Sequence, residues 1–269
     1  MWRKYFAIVI VISCAARSAE ARQSSAERKL VELKAALMSA DYRGDLAELA
    51  ALRTRAAEIS NDSRFGYLAD YWSGFASWRI VVNGASAKMT ADEAKGHLGR
   101  AVTDFESSLR KRSDFADAYA SAAAVHGWLA AYNMSDQAAM NAQIGEYKKF
   151  LDRALALEPD NPRALWIQAV PYLVLPAERG GNIGRAIELY QKMLDNSRPL
   201  QPASPLPDWG KAEAWMSLAN ANIMKTSPDV DAAAVEAKEA LRLQPGWHYV
   251  RDVLMPQIEA RRKQLAGKE

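Results

Sequence analysis

Cysteine is nearly absent from this chain of 269 residues, which contains a single copy, Cys14. An intrachain disulfide is therefore excluded, and the packing of side chains must hold the fold together. Glycine (14 copies) and proline (11 copies) are scarce and clustered, whereas alanine dominates the apolar residues. Because alanine is the best helix former and its small side chain lets helices approach closely, the composition predicts an all-α protein.

An excess of charge of one sign is also missing. Residues 1–21, which have the features of a removable signal, hold three basic residues and one acidic residue, so the remainder carries 32 basic and 31 acidic side chains. A nucleic-acid-binding protein needs a basic face. The two short basic clusters, at 110–112 and 261–263, lie near predicted helix ends, where cations complement the helix dipole. We therefore expect no nucleic acid partner.

Long apolar runs are missing too, and the one short run lies at the start of the chain. A basic start at 1–4 precedes the apolar residues 5–12, and a stretch of small residues ends in Ala19-Glu20-Ala21. This order predicts a secretory signal peptide over residues 1–21, with cleavage after Ala21. The apolar run is too short to span a bilayer, which takes roughly 20 residues. We expect a mature chain without a transmembrane segment, located in the periplasm or secreted.

The segment Val11-Ile12-Ser13-Cys14 supports an alternative, because it resembles a bacterial lipobox. Processing there would leave a lipid anchor on Cys14 and a membrane-anchored lipoprotein facing the periplasm. The cysteine comes early for such a signal, and the Ala-x-Ala site further on favours the product without a lipid.

Internal repetition indicates how the helices are arranged. The segment at 154–159, Ala-Leu-Ala-Leu-Glu-Pro, recurs at 240–245 as Ala-Leu-Arg-Leu-Gln-Pro. Each copy predicts the end of a helix, followed by a proline that blocks its continuation. A new amphipathic stretch follows each copy, as paired helices require. The pattern also predicts that Ala154 and Ala240 are buried where consecutive helices touch.

The tetratricopeptide pattern, W-x2-L-G-x2-Y followed by A-x3-F and then P, fits this arrangement. Its first helix matches Trp215-x2-Leu218-Ala219-x2-Asn222, Leu165-x2-Gln168-Ala169-x2-Tyr172 and, more loosely, Tyr119-x2-Ala122-Ala123-x2-His126. Its second helix matches Ala101-x3-Phe105, Ala186-x3-Tyr190 and, in a degenerate form, Tyr147-x3-Leu151. A single match to this pattern is not specific evidence for the repeat, but several matches in series are.

One domain over residues 22–269 follows from these matches. We predict an N-terminal helical pair at 22–60, repeat units at 64–113, 114–161, 162–198 and 212–246, a stiff proline-rich loop at 199–211, and a capping helix at 247–266. Longer turns are expected between Asn133 and Gln143 and between Pro176 and Gly181. Pro171 should kink its helix, because it removes the backbone bond to Ile167.

The chain resembles secreted bacterial tetratricopeptide repeat (TPR) proteins. The resemblance is carried by the repeats, by the turn Gly180-Gly181-Asn182-Ile183-Gly184-Arg185-Ala186, and by the helix start at 207–214, Pro-Asp-Trp-Gly-Lys-Ala-Glu-Ala. It implies a right-handed α-solenoid of antiparallel helix pairs outside the cytoplasm that binds partners and has no catalytic residues. A related group is the TPR component that accompanies TRAP-type transporters.

Residues that could carry chemistry are few. The glycines at 180, 181 and 184 do not form a phosphate loop, because no strand precedes them and no Lys-Ser/Thr follows. Glu93 and His97 have i,i+4 spacing, but no second histidine or cysteine supports a metal site. His126 occupies a repeat core position. We therefore expect no enzyme activity, no metal and no cofactor.

The repeat register directs six side chains toward the concave inner face of such an array. They are Trp128, Trp166, Val170, Met216, Asn220 and Ile223. In TPR-like arrays this face receives a partner's peptide or helix, and here it is unusually apolar. The alternative is that the N-terminal helices or the proline-rich loop cover it.

Two functions follow as hypotheses. The first is a non-catalytic scaffold of the cell envelope that binds a protein or peptide partner on its concave face. The second is an accessory protein of a TRAP-type transporter that holds a small apolar ligand.

Overall fold

The computed structural model describes residues 24–85 and 89–267, and every regular element in those ranges is helical. The predicted signal peptide and Cys14 lie outside the described residues. Eleven α-helices are present in this part of the chain, which confirms the all-α prediction. Their bounds are α1 Ser25–Arg43, α2 Leu46–Ala57, α3 Gly66–Gly84, α4 Ala91–Lys111, α5 Ala116–Tyr132, α6 Gln137–Leu157, α7 Pro162–Val174, α8 Ile183–Asn196, α9 Lys211–Met224, α10 Val230–Leu243 and α11 Met255–Ala266.

Side-chain caps fix where many of these helices begin. Ser24, Asp136 and Asn182 each accept a hydrogen bond from a backbone N–H in the first turn of α1, α6 and α8. Such a bond satisfies an amide that has no partner within the helix. Asp136 starts α6 at Gln137, so the predicted long turn from Asn133 to Gln143 is wrong: four residues connect α5 to α6.

Glu93 belongs to a cap as well. Its carboxylate accepts a hydrogen bond from the Thr90 amide at 2.9 Å, and the Glu93 amide donates to the Thr90 hydroxyl, which together make a capping box at the start of α4. The bonds that the Thr90 amide and hydroxyl donate to the carboxylate lower the pKa of Glu93. The role of this residue is therefore to start a helix.

Consecutive helices pack against each other, and alternate helices form a second set of contacts. Helix α1 contacts α3, α3 contacts α5, and α5 contacts α7. Trp166 in α7 in turn donates a hydrogen bond to Ser217 in α9 at 2.8 Å. We refer to α1, α3, α5, α7 and α9 as the inner helices.

Four of the inner helices, α3, α5, α7 and α9, run in the same direction, since their amino ends are linked. Phe115, just before α5, packs edge-on against Tyr67 at the start of α3. Arg163 at the start of α7 forms an ion pair with Asp117 at the start of α5, with 2.7 Å between nitrogen and oxygen. A Cβ on Gly210, just before α9, would lie 3.3 Å from the Cβ of Pro162. The carboxyl ends of α3, α5, α7 and α9 therefore share the opposite side of the molecule.

Helix α3 is buried along almost its whole length. It packs against α1, α2, α4 and α5, and its rings Tyr71, Trp72, Phe75 and Trp78 form a continuous aromatic cluster. A helix that is enclosed on all sides needs no polar face, which explains why its sequence lacks a clear amphipathic pattern.

Pro171 lies inside α7, and the helix continues past it to Val174. The missing amide leaves the carbonyl of Ile167 without its usual partner within the helix. The Tyr147 hydroxyl of α6 donates to that carbonyl at 2.9 Å. The lost backbone bond is thus replaced by a bond between two helices.

Residues 197–210, which connect α8 to α9, form turns and irregular chain. We call this segment the strap. It crosses to α1 and α3: the Trp72 indole N–H donates to the Pro205 carbonyl at 2.9 Å, and Lys34 of α1 donates to the Gln201 carbonyl at 2.9 Å. These contacts hold the proline-rich segment against α1 and α3.

The carboxyl-terminal segment returns to the first helices. Trp247 packs edge-on against Tyr42 of α1, with ring centroids 5.0 Å apart. His248 Nε2 lies 3.0 Å from the side-chain oxygen of Asn83 in α3. A stretch of π-helix, Val250–Leu254, then leads into α11. Nothing in the repeat pattern predicts that the segment expected to cap the end of the array also touches its beginning.

Candidate partner-binding face

The six residues predicted for the concave face all lie on inner helices, and all are half-buried. Trp128 is on α5, Trp166 and Val170 are on α7, and Met216, Asn220 and Ile223 are on α9. The structure therefore distributes them over three parallel helices.

Helices α7 and α9 are in register along this face. The Trp166 indole donates to the Ser217 hydroxyl, and the Arg163 guanidinium donates to the Trp209 carbonyl at 3.2 Å. Val170 and Val174 follow Trp166 at intervals of four residues on α7, as Asn220 and Met224 follow Met216 on α9. Residues four apart lie on the same face of a helix, and the two helices run parallel from these links. Two rows of side chains thus extend toward the carboxyl ends.

Asn220 is the one polar member of the six, and the fold already uses its side chain. Its amide nitrogen donates to the Met216 carbonyl at 3.3 Å, and its amide oxygen accepts from the Tyr249 hydroxyl at 3.2 Å. Burial raises the pKa of Tyr249. Asn220 therefore ties α9 to the carboxyl-terminal segment, and the sequence pattern did not reveal Tyr249 as its partner.

Trp166 has a different environment from the other five. The strap places the buried ring of Trp209 against it, with centroids 5.7 Å apart in an edge-on arrangement. The ring of Trp78 in α3 contacts both, with its centroid 6.1 Å from that of Trp166 and 6.3 Å from that of Trp209. The strap therefore covers the face at Trp166.

The carboxyl ends of the inner helices carry large apolar side chains that are exposed. Met134 follows α5 and is 73% exposed, Val174 and Leu175 at the end of α7 are 60% and 41% exposed, and Met224 ends α9 with 47% exposed. Together with Trp128, Val170 and Ile223 these four residues form what we call the apolar end face. Sequence reasoning missed the four, because they lie past the repeat motif, where a helix was expected to end in solvent.

The amino ends of the inner helices differ sharply from these apolar carboxyl ends. A cleft of about 650 Å³ lies there, between the starts of α5 and α7 and the strap. Its walls are largely polar and internally paired: Asp117 accepts hydrogen bonds from Asn161 at 2.9 Å and from Arg163 at 2.7 Å. A second cleft, beside Arg64 and Lys111, is also lined mostly by polar side chains. More of the surface of each cleft is polar than apolar.

None of the three histidines is a member of the apolar end face. His126 is buried in α5, stacks on Phe150 and pairs through Nδ1 with Gln143 at 2.7 Å, so its predicted core position is confirmed. Burial lowers the pKa of His97. Within residues 24–85 and 89–267, no three histidine, cysteine or acidic side chains are grouped closely enough to hold a metal ion. None of the helices described is long and apolar enough to cross a membrane.

No protein-family model and no curated protein matches this sequence. Among solved structures, the chain is similar to the HusA haemophore from Porphyromonas gingivalis. The two are 23% identical, the match covers 75% of this chain and 94% of the haemophore, and the TM-score is 0.46. A TM-score at this level supports no argument about function, so a functional proposal must depend on the geometry of this chain.

Proposed function

We propose that this protein is a non-catalytic scaffold of the cell envelope, which binds an apolar segment of a partner protein on the apolar end face. In this proposal the helix pairs form a right-handed α-solenoid of the TPR kind. Export follows from the predicted signal peptide, with release as a periplasmic or secreted protein or, in the alternative, retention through a lipid on Cys14.

The observation that supports binding is the exposure of large apolar side chains at one end of three parallel helices. Isolated apolar residues on a surface are ordinary, whereas a group of them is typical of interaction sites. Met134 lies two residues past the end of α5, and Val174 and Met224 are the last residues of α7 and α9. Half-buried Trp128, Val170 and Ile223 continue the surface inward. A partner could thus cover both large aliphatic side chains and a tryptophan ring, and such anchors usually dominate binding energy.

A small-molecule function would need an enclosed apolar space. Both clefts at the amino ends of the inner helices are open and mainly polar. The geometry therefore favours a protein or peptide partner over a small apolar ligand held for a transporter.

The chain offers a matched pair of substitutions to test this proposal. Val174 on α7 and Val235 on α10 are 60% and 61% exposed, but only Val174 lies on the apolar end face. We expect Val174→Glu to reduce capture of envelope proteins on immobilised residues 22–269 by about tenfold or more, since burying one such side chain contributes about 1.5–3 kcal/mol. Val235→Glu should leave capture unchanged. Equal capture by both variants, measured by quantitative mass spectrometry, would rule out the apolar end face.

Intact mass of the protein purified from its host decides the processing. A chain that begins at Arg22 supports release without a lipid. A chain that begins at Cys14 with added acyl mass places the protein on a membrane surface instead.

A further inference from the structure

The strap is held on the inner helices by a buried lysine. Lys34 of α1 is 4% exposed, and its ammonium donates to the Gln201 carbonyl and to the Asp208 carboxylate, each at 2.9 Å. A third, longer contact reaches the Leu206 carbonyl at 3.4 Å. Asp208 also accepts from the Gln201 amide at 2.6 Å, which folds the strap around the ammonium group. Burying a lysine is costly unless its charge is paired and hydrogen-bonded in this way.

The surface beneath the strap presents hydrogen-bond donors. We call Lys34, Trp72, Trp78 and Trp166 the floor. The Trp72 indole donates to the Pro205 carbonyl, and Trp209 packs against the rings of Trp78 and Trp166. The strap thus meets the floor with main-chain carbonyls, one carboxylate and one indole.

One donor of the floor has no acceptor while the strap is in place. The Trp78 indole nitrogen is buried, and no hydrogen-bond partner for it exists within the described residues. A buried polar atom that lacks a partner costs roughly 1–3 kcal/mol in general. The strap therefore supplies no acceptor to this nitrogen, and an occupant that brought one to it would match the floor better.

We propose that the floor is a second binding surface, separate from the apolar end face, and that an extended proline-containing peptide with an acidic residue next to an aromatic residue displaces the strap from it. The acidic residue takes the place of Asp208 on Lys34, and the aromatic ring takes the place of Trp209 against Trp78 and Trp166. Prolines keep such a peptide extended, so little conformational freedom is lost on binding. This inference goes beyond the proposed function, because the floor and the apolar end face are different surfaces of the protein.

The strap itself supplies the probe. A synthetic peptide of residues 198–210 is titrated, by fluorescence anisotropy, into the unaltered chain and into the double variant Asp208→Asn/Trp209→Ala, whose strap has lost both anchors. We expect the double variant to bind the peptide at least about tenfold more tightly, because the tethered strap competes at an effective concentration in the millimolar range. Leu200→Ser is the matched control: Leu200 is a half-exposed strap residue, and its replacement should leave binding as weak as in the unaltered chain.

The specificity of the peptide for the floor is tested in the double variant. Adding Lys34→Met to the double variant should abolish the gain, and a peptide with the same residues in scrambled order should not bind. If the double variant fails to bind the peptide, or binds the scrambled one equally well, the inference is overturned. Val174→Glu should not alter peptide binding, so a negative peptide result together with Val174-dependent capture rejects this inference and leaves the scaffold function intact.

A measurement on the unaltered chain covers the case in which the double variant does not fold. If the strap lifts, the Trp72 indole hydrogen should exchange with solvent at least about tenfold faster than the slowest backbone amides of α3, because local opening needs less free energy than global unfolding. Equal protection of the indole and those amides would mean that the strap leaves only on unfolding, which overturns the proposal.

Discussion

Rings fill the interior of the amino-terminal half of this molecule, whereas methyl groups fill much of the carboxyl-terminal half. Around α3 the core contains Tyr71, Trp72, Phe75, Trp78 and Phe105. Between α9 and α10 the contacting residues are mostly alanines, among them Ala219, Ala233, Ala237 and Ala240. Small side chains let helix axes approach closely, and large rings fill wider spaces. The same pairing of helices is thus reached by two packing solutions.

The difference affects how each half responds to substitution. A ring that is removed from a packed core leaves a cavity, while a ring that is added to an alanine contact forces the helices apart. The aromatic half also provides the surface on which the strap packs, because Trp72 and Trp78 contact Pro205 and Trp209 of the strap. In the alanine half, a large side chain such as Met224 is exposed at the end of its helix.

The largest effect is expected from Trp72→Ala. This ring is fully buried and donates to the strap at Pro205. Its removal should lower the free energy of unfolding by about 3–5 kcal/mol, measured by urea denaturation followed by circular dichroism. A loss below about 1 kcal/mol would show that the aromatic half can collapse into the space, and the contrast between the two halves would then fail.

Ala240→Phe tests the alanine half by the opposite change. The Ala240 side chain is fully buried, as the repeat pattern predicted, and so is that of Ala154. We expect overpacking to cost about 1–3 kcal/mol. Val235→Phe, at an exposed position on the same helix, is the control and should stay within about 0.5 kcal/mol of the unaltered chain. Equal melting temperatures for both variants would contradict the helix register that buries Ala240.

A smaller effect concerns the carboxylate that joins the two halves. Glu213 at the start of α9 accepts from the Tyr42 hydroxyl of α1 at 2.6 Å and from the Gly210 amide at 2.7 Å. Burial raises the pKa of Glu213 above its ordinary value, although these bonds and the charge of Arg79 oppose the rise. The folded chain therefore holds the carboxyl proton of Glu213 more tightly than the unfolded chain does.

The pH dependence follows from that sign. The contribution of Glu213 to stability is present in full below its ordinary pKa and is lost as pH rises through the folded value. As pH rises from the ordinary pKa of the carboxyl to its folded value, we expect the unfolding free energy of the unaltered chain to fall relative to that of Glu213→Gln. Glu188→Gln, at an exposed site on α8, should not change the profile. Parallel curves for the unaltered chain and Glu213→Gln would contradict the assigned direction.

The smallest effect on stability is expected at the apolar end face. Trp128 is half-buried and stacks on Tyr132 with ring centroids 6.3 Å apart. Trp128→Ala should weaken partner binding by about 1.5–3 kcal/mol and leave most of the fold intact. Trp166→Ala should destabilise the protein more, since Trp166 bonds to Ser217 and packs on Trp209. Unfolding by Trp128→Ala would assign this ring to the core and remove it from the partner site.

The sequence alone determined the elements and much of their pairing. Helix starts at Ser25 and Ala91 were predictable because a cap and its helix lie within a few residues of each other. Burial of Ala154 and Ala240 was predictable because apolar spacing repeats along a helix. The six inner-face residues were assigned to the inner helices for the same reason.

Only the tertiary structure decided what covers that face. The contacts of Lys34 with the strap and of Tyr42 with Glu213 join residues about 170 positions apart. The contact between His248 and Asn83 is similarly distant in sequence. No local pattern encodes such contacts, because they depend on how the successive helices stack before the later ones reach the first ones. For the same reason, only the structure distinguished Trp166, covered by the strap, from Val174, which remains exposed.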